Sequence, residues 1–66
     1  MKYGICKKAG RNCEVGRMYA VISGGNLCDA YEAKKVRGRI YIKFVCVGRF
    51  GRGELDEYFG ELCDVA

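Results

Sequence analysis

The clearest alternation of apolar and polar positions runs through residues 39–47, RIYIKFVCV. Ile40, Ile42, Phe44 and Cys46 fall on one side at period two, and Arg39, Tyr41, Lys43, Val45 and Val47 on the other. The pattern predicts a strand with one buried face and one partly basic, aromatic face. Residues 17–23, RMYAVIS, are rich in β-formers and run into Gly24-Gly25, a pair that supplies the positive φ angles of a tight hairpin turn. Arg37-Gly38 is a second turn signal. Between the two turns, NLCDAYEAKKV fits either a helix capped by Asn26 or the middle strand of a meander. A helix of that length needs a clear apolar stripe, and Leu27 and Tyr31 with Ala30 and Lys34 do not make one, so the strand is preferred.

At the N-terminal end, residues 2–8 read as a short strand, Ala9-Gly10 as its turn, residues 11–15 as the returning strand and Gly16 as a bulge or corner. From residue 54 onward the period changes. Leu55, Tyr58, Phe59 and Leu62 recur at i, i+3, i+4 and i+7, and Glu54, Asp56 and Glu57 sit where a first turn favours acids. A helix over residues 54–66 is predicted, with Gly60 inside it at a cost of about 1 kcal/mol.

The expected fold is therefore α+β: an antiparallel hairpin and three-stranded meander, or small barrel, closed by one C-terminal amphipathic helix. At the level of architecture this resembles the small SH3-like barrels. The run Gly38-Arg39-Ile40-Tyr41-Ile42-Lys43-Phe44, followed by Gly51-Arg52-Gly53 and a short helix, is similar to the end of the small archaeal chromatin proteins. Those proteins use a lysine-rich sheet surface bearing a tryptophan. This chain has no Trp, fewer lysines and more cysteines, and the similarity covers less than half of it, so no function is carried over. Sixty-six residues allow a single domain with a small core. No apolar run approaches the roughly 18 residues of a membrane span, and MKYGICKKAG has neither the apolar region nor the cleavage site of a signal peptide.

Charge is the feature that bears most on function. All twelve basic residues lie between Lys2 and Arg52, and residues 1–53 hold only Glu14, Asp29 and Glu32, which leaves this body at +9. The last thirteen residues hold Glu54, Asp56, Glu57, Glu61 and Asp64 and no base, a tail of −5. Segregated charge on so small a chain concerns partners, and the body should attract polyanions.

The residues offer little to catalysis. Without histidine the usual general base near neutral pH is missing. GRFGRG lacks the Lys-Ser/Thr ending of a phosphate loop, and no cysteine has an evident activating partner. The five cysteines, Cys6, Cys13, Cys28, Cys46 and Cys63, form no CxxC pair and read as small hydrophobes rather than as metal ligands or a disulfide framework. No enzyme activity, metal or cofactor is expected.

The expected role is a small binding module for DNA or RNA with low sequence specificity, because phosphate contacts carry no base information. Its surface would comprise Arg17 and Tyr19 on one strand, Lys35 and Arg37 at the turn, Arg39, Tyr41 and Lys43 on the next strand, and the loop residues Arg49, Phe50 and Arg52. The acidic helix would lie on the far side. The alternative is an inhibitor or adaptor, of the kind viruses and mobile elements encode, that binds a host protein through Asp56, Glu57 and Glu61. A cytoplasmic setting is expected, the host cytoplasm if the source is viral, with no membrane partner. Oppositely charged faces also leave room for a homodimer.

Overall fold

The computed structural model describes residues 1–64. Four strands, β1 (Lys2–Ile5), β2 (Met18–Gly24), β3 (Leu27–Val36) and β4 (Arg39–Gly51), precede one helix, α1 (Arg52–Tyr58). The strands form one antiparallel sheet in sequence order β1-β2-β3-β4. The sheet does not close into a barrel: among the described residues, β4 has no strand on its outer side, and the outer edge of β1 is met by Cys63, which exchanges two backbone hydrogen bonds with Tyr3.

The turns follow local chemistry. Gly24 pairs with Leu27, so the first tight turn is Gly25-Asn26, one residue beyond the expected glycine pair; Gly25 has φ +68. Val36 pairs with Arg39 across Arg37-Gly38, whose φ angles of 51 and 79 match the type I′ turn that suits the right-handed twist of a hairpin. Residues 27–36 are a strand, as the missing apolar stripe implied. Residues 11–15 do not return as a strand. They form a loop held by the Gly10–Cys13 bridge, with Gly16 (φ +91) in a turn before β2.

The helix is shorter than expected. Gly51 caps it without a side chain, and Glu54 Oε1 accepts a bond of 3.0 Å from the Gly51 N–H. Phe59 is the C-cap, and Gly60 follows at φ +68, the left-handed position where glycine ends helices. Gly60 is thus the terminator of α1 and not a costly interior residue. Leu62 and Cys63 lie beyond the helix, yet Leu62 still packs on the core.

One face of the sheet carries that core. Tyr19 and Val21 from β2, Cys28 and Ala30 from β3 and Phe50 from β4 meet Phe59, with Cys6 and Cys13 closing one end. The rings of Phe50 and Phe59 pack edge to face at 5.2 Å, and Tyr19 tilts against Phe59 at 5.7 Å. Gly4 allows this approach: a Cβ there would sit 3.2 Å from Phe59 Cβ and 2.6 Å from Leu62 Cδ2. Three of the five cysteines are buried, all five are free thiols, and burial pushes the Cys13 thiol up to about 11.

Strand β4 departs from the simple alternation. It has thirteen residues against the ten of β3, and its register shifts twice, between Ala30 and Tyr31 and between Tyr31 and Glu32. Tyr31 pairs with Cys46 while Glu32 pairs with Lys43, so Phe44 and Val45 bulge out between them. Val47 is a third extra residue, between Cys46 opposite Tyr31 and Gly48 opposite Ala30, and the odd total reverses which parity faces the core. Phe50 points to the core side, whereas Ile40 and Ile42 lie half-buried on the opposite side. Phe44, 69% exposed, and Cys46 are not buried, contrary to the alternation.

Candidate nucleic-acid interface

Beyond the body the sheet narrows to two strands. The last β2 residue paired with β3 at this end is Tyr19, opposite Glu32. From there residues 33–36 pair only with residues 39–42, making a two-stranded arm closed by the Arg37-Gly38 turn. Four rungs at about 3.4 Å each give the arm a length of roughly 13 Å before its turn.

The register fixes which side chains share a face. Lys43 stands opposite Glu32, Tyr41 opposite Lys34, and Arg39 opposite Val36. Glu32 itself stands opposite Tyr19, so this ladder continues the face that holds the core. The helix α1 covers one half of that face and the arm presents the other. The acidic helix is therefore beside the basic ladder, not on the far side of the sheet. Tyr41 is 55% exposed, and Lys34, Arg39 and Lys43 are exposed around it. Among the described residues, no ion pair, hydrogen bond or ring contact engages Lys34, Arg37, Arg39 or Lys43 through its side chain.

The other expected site residues divide. Tyr19 is only 1% exposed; its ring lies in the core and its hydroxyl accepts the Glu14 N–H at 2.8 Å. Phe50 is fully buried. Neither can stack on a base, and both are removed from the interface. They were misplaced because an aromatic beside an arginine gives the same local pattern whether it faces solvent or the core. Arg17 is exposed at the foot of the arm but bonded to Glu14 at 2.7 Å and Glu32 at 3.4 Å. Arg49 lies on the opposite face and pairs with Asp29 at 3.1 Å. Arg52 opens α1 and donates from Nε to the Gly25 carbonyl at 3.1 Å. Lys35 points away from Tyr41, into an apolar depression lined also by Tyr3, Ile5, Met18, Glu61 and Cys63.

The acids of the helix are partly engaged. Glu57 pairs with Lys8. Glu54 pairs with Arg11 at 2.5 Å, and the Gly51 N–H followed by that guanidinium holds its carboxyl below the ordinary range. Asp56 and Glu61 remain exposed. Arg11 links the N-terminal loop to the body: it donates to the Arg49 carbonyl at 2.8 Å and lies over the rings of Phe50 and Tyr58 at 5.0 and 5.7 Å.

Sequence reasoning missed Lys34. The signal was present, because a two-residue turn at Arg37-Gly38 makes 36 face 39 and 34 face 41 by counting alone. Arg11 carried no such signal, since its partners lie 38 and 43 residues away. No family model, curated protein or solved structure matches this chain, so the geometry alone informs its function.

Proposed function

We propose that the protein is a small, non-enzymatic nucleic-acid-binding module of low sequence specificity, and that the β3–β4 arm is its contact surface. The carrying observation is that Lys34, Arg37, Arg39 and Lys43 have no ion pair among the described residues, with no acid between residues 33 and 43, while four of the seven bases of the body have acidic partners. Like charges on adjacent strands repel, so the arm's charge does nothing for folding and calls for an anionic partner. Tyr41 adds an aromatic ring among the cations. Five free thiols suit a reducing cytoplasm, which is the setting proposed. The alternative, protein binding through Asp56, Glu57 and Glu61, is less supported because Glu57 is already paired with Lys8.

The test is fluorescence anisotropy of labelled oligonucleotides with reduced protein at about 50 and 200 mM salt. Binding should weaken steeply with salt. The triple variant K34Q/R39Q/K43Q should lower the salt slope by about three units and weaken binding roughly several hundredfold at about 0.1 M salt. Unchanged affinity in that variant would sink the proposal.

A further inference from the structure

The acidic helix constrains how an anionic polymer can approach. α1 packs on the sheet face that also bears Lys34, Tyr41, Arg39 and Lys43; its Glu54 and Glu57 are paired with Arg11 and Lys8, and Glu61 lies beside Lys35 on the other side of the arm. A nucleic acid laid flat along that face would run into the helix itself, which covers the half of the face that holds the core. An approach to the tip avoids this.

The tip has a second unusual feature. Arg37 holds a left-handed backbone, φ 51, at a turn position that favours Asn, Asp or Gly. Arg11 has the same conformation, φ 50, but its contacts with Glu54, the Arg49 carbonyl and two rings account for it. At Arg37 the type I′ turn itself accounts for the conformation, and the side chain has no hydrogen bond or ion pair among the described residues. An exposed, unengaged guanidinium at the apex is a candidate contact for an external anion.

Resting on the nucleic-acid reading, we infer that the β3–β4 arm enters the major groove of B-form duplex DNA tip first, with Arg37 leading and Lys34, Arg39 and Lys43 meeting backbone phosphates. The dimensions agree. The major groove is about 12 Å wide and 8.5 Å deep and admits a two-stranded ribbon, and the arm's length exceeds that depth. The deep, narrow major groove of duplex RNA does not admit such a ribbon. A single-stranded partner would use Tyr41 as its main contact, by base stacking. In the groove Tyr41 is a flank of the ribbon and contributes little.

The experiment compares duplex DNA, single-stranded DNA and duplex RNA of equal length by anisotropy, for the wild type and for R37Q and Y41A, with melting curves for each variant. Both substitutions are at exposed positions and leave the core intact. The inference expects duplex DNA to bind at least about tenfold tighter than the other two. It expects R37Q to lose roughly fivefold or more on duplex DNA and Y41A to lose less than twofold. Methyl green, a major-groove ligand, should compete, and netropsin, a minor-groove ligand, should not. Equal or tighter single-strand binding that collapses in Y41A overturns groove insertion while leaving nucleic-acid binding in place. Competition by netropsin alone overturns it too. Failure to bind any of the three polymers at the lower salt removes both the insertion and the reading beneath it.

Discussion

Arg11 and Arg37 adopt nearly the same left-handed backbone, and their surroundings could hardly differ more. Arg11 belongs to the body, where a guanidinium bridges a helix carboxylate, a strand carbonyl and two aromatic rings. Arg37 stands at the end of a two-stranded arm with no side-chain contact among the described residues. The contrast extends to their neighbours. In the body, Lys8, Arg11, Arg17 and Arg49 have acidic partners and Lys2, Lys7 and Arg52 do not; on the arm, Lys34, Arg39 and Lys43 have none among the described residues. Exposed pairs of this kind contribute only about 0–1 kcal/mol each. The comparison therefore teaches little about stability. It separates charges satisfied inside the chain from charges left for something outside it.

The largest effect expected from breaking this division is on folding. Phe50→Ala removes a fully buried ring that touches both Tyr58 and Phe59, and should cost about 3–5 kcal/mol, a large share of the stability of so small a domain. Tyr41→Ala, on the arm, should change stability by less than about 0.5 kcal/mol. Urea titrations of the two variants check this, and equal losses would mean that the arm is part of the folding unit. Gly60→Ala forces a side chain into the left-handed region beyond α1 and should cost about 1–2 kcal/mol. The nearby Lys7 side chain can move aside, so backbone conformation and not crowding sets that cost. A neutral result in thermal melts would contradict Gly60 as the terminator.

The smallest effect concerns acid. The Gly51 N–H and then Arg11 lower the Glu54 carboxyl below its ordinary 4.5 in the folded chain. A depressed folded value contributes stability above the unfolded pKa, and that contribution fades as pH falls through the folded one. Glu54→Gln should accordingly flatten the decline of the urea midpoint below about pH 4.5. An unaltered acid limb would show that this carboxylate does not matter there.

Much of the fold was legible because turn chemistry is local. Arg37-Gly38, the glycines near 24 and the acids opening α1 each acted through their immediate neighbours. The failures share a cause as well. Whether Tyr19 and Phe50 face solvent depends on where the helix docks, and the parity of β4 depends on extra residues that alternation does not reveal. Lys34 and Tyr41 could be paired by counting from the turn, whereas Arg11 could not be paired with Glu54 without the tertiary fold.

The bulge at Phe44 and Val45 has a consequence in the language of heredity. The rungs of the arm are set by the Arg37-Gly38 turn and by β3, which runs from Cys28 to Val36 without an extra residue, so the loss of one codon at the bulge would be absorbed there and leave Arg39, Tyr41 and Lys43 opposite Val36, Lys34 and Glu32. Losing Phe44 or Val45 would change no charge. In hereditary terms the bulge is a stretch whose length can drift without changing what the arm displays.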